Sequence, residues 1–179
     1  DGYRNRRVVV YDAETGAYKR HWGAYGNKPD DAAPRTRVYE GAGSPQFNLV
    51  HGLRISNDGL VYVGDRVNNR VQVFKLDGTF VKETYVNRPS HSNEGTAYDV
   101  AFSQDKQQQF LFVADGSNKK VHIVNRETLE EVGLDLARSL EEPAELAPDL
   151  VQIMRAAEVG RACRNGVQPE DLILPGQPL

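Results

Sequence analysis

The residue types in this 179-residue chain that could do chemistry are four histidines and one cysteine. They are His21, His51, His91, His122 and Cys163. A catalytic zinc site needs three protein ligands and an open coordination position. A lone cysteine excludes both an internal disulfide and a zinc site built from several cysteines. One histidine does not make a zinc site either, so its neighbours in the fold decide what it can do.

His51 opens the stretch that organises the chain, HGLRISNDGLVYVGDRVNNRVQVFKLDGTFVKETY, which ends at Tyr85. The stretch predicts four short strands, because apolar residues recur at every second position of runs such as VYV and VQV. Turn signals separate the runs, with NDG at 57–59 and DG at 77–78, where glycine adopts a positive φ without steric cost. One such sheet predicts one blade of a larger structure.

A corner motif recurs three times along the chain. Each copy has an Asp, a polar corner containing Asn and a basic residue that opens a strand: DGYRNRRVVVY at 1–11, DRVNNRVQVF at 65–74 and DGSNKKVHIV at 115–124. The upstream strands HGLRIS and YDVAFS, at 51–56 and 98–103, also match. A repeat of roughly 40 to 50 residues built from four strands is typical of β-propellers.

The repeats predict an all-β fold of about two and a half propeller blades, followed by a short helical C-terminal segment. Residues 1–22 would supply the outer two strands of one blade. Residues 51–85 would form a complete blade, and 95–132 a third whose last strand the pattern does not define. The segment before His51 is rich in Gly, Pro and Asp and longer than an ordinary blade connection, which favours a functional loop over a propeller face.

The blade pattern stops after Gly133, which divides the chain into propeller blades at 1–133 and an acidic tail at 134–179. In the tail, helical spacing places Leu150, Ile153, Met154 and Ala157 on one face. Two explanations stay open: an appended helical segment, or sequence that is unrelated to the propeller. An incomplete ring also predicts a fragment of a longer protein, self-association through open blade edges, or a tail that replaces missing blades.

Charge and hydropathy exclude some classes of function. Residues 1–133 hold 18 Lys and Arg against 17 Asp and Glu, and residues 134–179 hold 4 against 8. Neither part has a basic stripe, so nucleic-acid binding is not expected. No apolar run reaches the roughly 20 residues of a membrane helix, which predicts a soluble protein. The compartment stays open, including export to the bacterial periplasm or extracellular space.

The corners DRVNNRVQVF and DGYRNRRVVVY resemble those of the NHL-repeat β-propellers, and the resemblance covers about residues 1–133. Within that family, the chain looks most like the peptidyl-hydroxyglycine lyase domain of peptide-amidating enzymes. The resemblance implies that Arg7 lies at the active site and that His51 is one of three axial zinc ligands. In the next blade Tyr98 occupies the position of His51, and it is the candidate for the catalytic tyrosine.

Most of these residues also have a structural interpretation. Arg7, Arg70 and Lys120 recur at one position, which indicates a structural role, and we expect Arg7 and Arg70 each to pair with the Asp of a corner through charge-assisted hydrogen bonds. The corner Asp residues, Asp1, Asp65 and Asp115, are corner formers first and calcium ligands only second. No cofactor is required by this interpretation, and zinc at His51 depends on companions that this chain does not contain.

Two functions follow from the sequence. The first is a binding scaffold that presents loops and a channel mouth to a protein, peptide or small-molecule ligand, with His51, Tyr98 and Arg7 facing it. The alternative is a zinc-dependent lyase of the peptidyl-hydroxyglycine type. In that enzyme His51 would bind the metal, while Arg7 and Tyr98 would act on the substrate. No nucleophile and base stand together in the sequence, which favours the scaffold.

Overall fold

The computed structural model describes residues 2–132, and in them the chain is all-β, as the repeats predict. A single turn of 3-10 helix, Ala24–Gly26, follows the second strand. The corner residue Asp1 and the tail 134–179 with its predicted helix lie outside the described residues. The nine strands are β1 Val8–Tyr11, β2 Tyr18–Trp22, β3 Val50–Ile55, β4 Leu60–Asp65, β5 Arg70–Lys75, β6 Phe80–Tyr85, β7 Ala97–Phe102, β8 Phe110–Asp115 and β9 Lys120–Asn125.

The strands form three antiparallel sheets, each of which follows the order of the chain. They are β1-β2, β3-β4-β5-β6 and β7-β8-β9. Two, four and three strands correspond to the predicted outer half of one blade, the complete blade and the third blade. Up to residue 132, the last strand of the third blade is represented by one isolated bridge between Val124 and Glu131. The predicted fold class, about two and a half propeller blades, is confirmed.

The central sheet is buried on both faces, which explains its continuous apolar runs. Successive residues of a strand point to opposite faces. In β4, Val61 and Val63 pack with Phe47 towards the first sheet, whereas Tyr62 packs with Leu111 towards the third. All five side chains are almost completely buried. The three sheets are therefore stacked face to face, as the blades of a propeller are.

Two glycines allow the central and third sheets to approach each other closely. A Cβ atom on Gly52 of β3 would lie 2.8 Å from Asp99 Cα, and one on Gly64 of β4 would lie 2.9 Å from the Ala97 carbonyl oxygen. Real Cβ contacts are not this short, so only glycine fits at either position. The first strands of neighbouring blades converge here, which makes β3 and β7 the inner strands.

The corner of the central blade is built around a buried ion pair between Asp65 and Arg70, both with no exposed side-chain surface. The Asp65 carboxylate accepts hydrogen bonds from Arg70 Nε at 2.7 Å, Asn68 Nδ2 at 2.8 Å and the Asn48 backbone N–H at 2.7 Å. Burial raises the pKa of Asp65, and these three donors oppose that shift. Burial lowers the pKa of Arg70, but the interactions with Asp65, Tyr25 and Glu83 together outweigh burial and raise that pKa. The three donors favour the ionised pair.

The third blade keeps the corner but changes the partner of its aspartate. Asn118 Nδ2 donates to both oxygens of Asp115, at 2.8 and 3.0 Å. Lys120, which the repeat aligns with Arg70, is exposed. Instead, His122 Nε2 lies 3.3 Å from Asp115 Oδ2. The lysine at the position of Arg70 is thus exposed, and the imidazole two residues later reaches the carboxylate.

Replacing Arg70 with alanine should destabilise the chain by about 3–5 kcal/mol, because it leaves the Asp65 carboxylate buried without its cation. Urea unfolding of the full chain measures the loss. The matched control is Arg54→Ala, which removes an arginine whose side chain is 51% exposed and which pairs with Asp99 at 3.2 Å. That change should cost about 0–1 kcal/mol. Equal losses for the two variants would contradict the role assigned to the buried corner.

Candidate functional site

The strand ends divide the described molecule into two faces. We call one the corner face, because its segments lead into and out of the corners: 2–7, 23–49, 66–69, 86–96 and 116–119. The other is the turn face, whose segments are 12–17, 56–59, 76–79, 103–109 and 126–132. Hydrogen bonds join segments within each face. Arg37 Nε donates to the Val67 carbonyl at 2.9 Å on the corner face, and the Asn57 N–H donates to Gln108 Oε1 at 2.8 Å on the turn face.

His51 and Tyr98 occupy equivalent positions in their blades, as the repeat predicts. In the central sheet, Val50 pairs with Asp65 and Gly52 with Gly64, so His51 is an extra residue in β3. The third sheet has the same irregularity, since the register between β7 and β8 shifts on either side of Tyr98. A bulge of this kind redirects a side chain relative to the regular strand. Both bulges lie at the corner end of an inner strand.

The structure brings His51 and Tyr98 into contact. His51 Nδ1 lies 2.7 Å from the Tyr98 backbone carbonyl oxygen, and the two rings are 5.4 Å apart between centroids. A carbonyl oxygen only accepts, so the imidazole carries its proton on Nδ1 in this contact. The Tyr3 ring lies 6.1 Å from the His51 ring. His51 is exposed, so it belongs to the surface of the corner face.

Tyr98 is held differently, because its side chain is only 8% exposed. The Arg66 guanidinium lies 4.2 Å from the centre of its ring, within the range of a cation–π interaction. Arg66 in turn is paired with the Glu94 carboxylate. The ring is therefore enclosed between His51 and Arg66. The catalytic role predicted for Tyr98 stays a prediction, and its enclosure favours a packing role.

Arg7 precedes β1 on the corner face and is half-buried. Its neighbour Arg6 is buried and donates through Nη2 to the Ala33 carbonyl at 2.6 Å, which attaches the first blade to the long loop. Burial lowers the pKa of Arg6, and the nearby Arg35 guanidinium lowers it further. Tyr3, from the same segment as Arg7, is the residue that reaches His51. The ligand-binding role of Arg7 stays a prediction.

The described residues do not assemble a metal site. Within residues 2–132, no three His, Cys, Asp or Glu side chains are placed to hold a metal ion. His51 alone is too few for zinc, which needs three protein ligands in a catalytic site. The Asp65 carboxylate is surrounded by N–H donors, which a calcium ion cannot share. Zinc at His51 therefore stays a prediction that depends on residues outside this part of the chain.

The long loop between β2 and β3 lies on the corner face, and Arg37 is the residue that sequence reasoning missed. Its guanidinium donates to the Val67 carbonyl and, at 3.2 Å, to Asn69 Oδ1. It also lies 5.4 Å from the centre of the Tyr39 ring, which is 4.4 Å from the His91 ring. An arginine in an irregular loop gives no periodic signal, so only the folded loop reveals its role.

His122 in β9 contacts two carboxylates. Its Nδ1 lies 2.9 Å from Glu131 Oε1 and its Nε2 lies 3.3 Å from Asp115 Oδ2, with 10% of the side chain exposed. Both ring nitrogens face carboxylates, and only the protonated imidazole can donate to both. The hydrogen bond to Asp115 raises the pKa of His122; burial opposes this shift, and Glu131 supports it.

Comparison with known proteins agrees with the blade structure. Residues 47–74, which span β3, β4, the central corner and most of β5, match the family model of the NHL repeat. No curated protein sequence matches the chain. Within residues 2–132, no helix is long and apolar enough to cross a membrane.

Solved structures that are similar to this chain match it at low sequence identity. Hydrazine synthase of Kuenenia stuttgartiensis is 14% identical over 71% of this chain and 28% of its own, with a TM-score of 0.48. U3-55K and the WD40 repeats of RRP9 are each 13% identical over 73% of this chain and 31% of their own, also with a TM-score of 0.48. The chain thus spans about three tenths of the structures it resembles. None of these matches is a peptidyl-hydroxyglycine lyase, so that closer resemblance stays a prediction.

The raised pKa of His122 gives a pH dependence with a defined sign. The folded state holds this proton more tightly than the unfolded chain, whose histidine pKa is about 6.5. The stabilisation is therefore fully present below about pH 6.5 and is lost as the pH rises through the folded pKa. Urea unfolding between pH 6 and pH 8 should show this loss, and His122→Gln should remove it. The control His21→Gln, at an exposed position, should keep it, and a pH dependence that persists in His122→Gln would contradict the assignment.

Proposed function

We propose that this chain is part of a propeller scaffold whose corner face binds a protein, peptide or small ligand. An NHL repeat supports the fold, but one fold carries many functions, so the proposal depends on the face itself. The observation that carries it is the long loop 23–49, which is held over the central corner beside exposed Tyr3 and His51. Loops positioned by a rigid scaffold are where binding residues concentrate.

The hydrogen bonds of this loop support binding without a large ordering cost. Arg70 Nη2 donates to the Ser44 carbonyl at 2.8 Å, and Asn68 Nδ2 donates to the Gln46 carbonyl at 3.0 Å. Arg88 Nη2 donates to the Gly41 carbonyl at 2.7 Å. The loop is therefore ordered before any ligand arrives. A pre-ordered surface loses less conformational entropy on binding, which favours affinity.

Selection of a random peptide library on the immobilised chain tests this function. Peptides that bind the corner face should lose at least about fivefold in affinity on Tyr3→Ala, because truncating an aromatic contact residue typically costs more than about 1 kcal/mol. The matched control is Tyr18→Ala, since Tyr3 and Tyr18 are 65% and 56% exposed. Tyr18 begins β2 at the opposite end of the blade. Calorimetric titration of each variant with the selected peptide measures the difference.

Two results would oppose the scaffold proposal. One is a library from which no peptide binds the folded chain. The other is a selected peptide whose affinity falls equally in Tyr3→Ala and Tyr18→Ala, because that peptide would not distinguish the corner face from the rest of the surface.

A zinc-dependent lyase is the second candidate, and one observation favours it. Metal-binding histidines usually donate their other ring N–H to a carbonyl or carboxylate. The contact between His51 Nδ1 and the Tyr98 carbonyl oxygen, at 2.7 Å, is of that kind. The reaction would cleave a peptidyl-hydroxyglycine into a peptide amide and glyoxylate, with Arg7 near the hydroxyl-bearing carbon. Within residues 2–132, however, no three His, Cys, Asp or Glu side chains are grouped to hold the metal.

Metal analysis of the purified chain distinguishes the two candidates. The lyase predicts about one zinc ion per chain that is lost in His51→Ala, together with turnover of a hydroxyglycine peptide that Arg7→Ala abolishes. The scaffold predicts little zinc and no change in metal content on His51→Ala. The control is His21→Ala, which removes an exposed histidine of β2 and should leave the metal content unchanged in either case.

A further inference from the structure

The two faces of the described molecule carry opposite charge. The corner-face segments contain nine lysines and arginines against four acidic residues, whereas the turn-face segments contain two against eight. The corner-face cations are Arg4, Arg6, Arg7, Lys28, Arg35, Arg37, Arg66, Arg88 and Lys119. The turn-face anions are Asp12, Glu14, Asp58, Asp77, Asp105, Glu127, Glu130 and Glu131. A net charge close to zero in residues 1–133 thus conceals a strongly polarised molecule.

The polarity follows from the meander of each sheet. Consecutive strands run in opposite directions, so successive connections along the chain alternate between the two faces. The corner-face connections hold most of the cations and the turn-face connections hold most of the acidic residues, so the charges largely cancel along the sequence. This explains why no basic stripe is visible before the chain is folded.

Several corner-face arginines are held in place by neutral oxygens, which leaves their charge uncompensated. Arg35 donates to the Tyr3 carbonyl at 3.3 Å and to Asn48 Oδ1 at 3.4 Å. Arg37 donates to backbone carbonyls and an Asn side chain, and Arg88 to a backbone carbonyl. Neutral acceptors fix the position of a guanidinium without cancelling its field.

Acidic residues compensate only part of the corner face. Glu94 is paired with Arg66, and Asp30 and Asp31 lie close enough to act on Arg6. The exposed cations Arg4 and Lys119 lie on the segments 2–7 and 116–119, which contain no acidic residue. On the turn face the balance is reversed, because its arginine, Arg126, is paired with Asp58 at 3.0 Å. The remaining turn-face charge is almost entirely negative.

We infer that the corner face recognises an acidic segment of a partner polypeptide. The inference rests on the scaffold function proposed above and specifies the partner. Guanidinium groups bind carboxylates in a bidentate geometry, and several here are already fixed around the long loop. The contact of Arg37 with the half-buried Tyr39 ring adds apolar surface beside the cations, as interfaces with polypeptides commonly have.

A polypeptide fits this face better than a nucleic acid does. Nucleic acid presents a continuous row of phosphates and is bound by a continuous basic surface. Here Asp30, Asp31 and Glu40 interrupt the cations of the long loop, and all three are exposed. Separate carboxylates on a flexible peptide can pair with separate arginines and avoid these acids. The acidic turn face would also turn the molecule so that its corner face meets a negative partner first.

Titration of the full chain with a short fluorescent oligo-glutamate peptide tests the inference. The test variant reverses two exposed corner-face charges, Arg4→Glu with Lys28→Glu. The matched control reverses two exposed charges at the other end, Lys75→Glu with Lys106→Glu. Both change the net charge equally, so only the face differs. The test variant should weaken binding roughly tenfold, the control should leave it almost unchanged, and salt well above about 0.15 M should weaken binding to the wild type.

Other outcomes overturn the inference and are distinguishable from failure of the scaffold. Absence of oligo-glutamate binding at low salt, equal weakening in both double variants, or tighter binding of a single-stranded oligonucleotide would each overturn the acidic partner. The random-library selection decides separately on the scaffold. A selected neutral or basic peptide that is lost in Tyr3→Ala would keep the scaffold and reject the acidic partner, whereas a library without any binder would reject both.

Discussion

The buried ion pair between Asp65 and Arg70 is the interaction on which the surrounding structure depends. A buried charge is strongly unfavourable unless an opposite charge and hydrogen bonds replace its lost hydration. The Asp65 carboxylate therefore requires Arg70, Asn68 and the Asn48 N–H together. Those partners come from the turn between two strands and from the end of the long loop. One carboxylate therefore fixes the corner of the central blade, the start of β3 and the position of the loop at the same time. The corner face is ordered because its centre cannot rearrange without exposing or isolating a buried charge.

Stacking of the sheets places the candidate site. Gly52 and Gly64 let the central and third blades converge, and the bulges at the corner ends of β3 and β7 then bring His51 against Tyr98. The same convergence encloses Tyr98 and leaves His51 on the surface. Equivalent repeat positions thus have different environments, since each inner residue meets the next blade on one side and a different loop on the other. His51 is exposed on the corner face, while the buried Tyr98 contributes the backbone carbonyl oxygen that contacts the imidazole.

The fold separates positive and negative charge onto two opposite faces. Arginines such as Arg37 and Arg88 hold the segments of the corner face through carbonyl oxygens, so positive charge accumulates at one end of the strands. Short turns at the other end use Asp to accept backbone N–H groups, as Asp12 and Asp77 do. Structural needs of the two ends therefore separate the charges, and recognition of an acidic partner would use a field that the fold already requires.

The sequence by itself determined the strands, the three corners and the equivalence of His51 with Tyr98, because alternation, Asp-Gly turns and a repeated corner are local properties of the chain. It predicted the pairing of Arg70 with an aspartate correctly. Only the tertiary structure decided that His122 meets Asp115, that Arg37 anchors the loop and that basic and acidic residues separate onto two faces. The contact of His122 depends on how neighbouring side chains pack, and the other two properties join residues far apart in the chain, so the repeat pattern contains none of them.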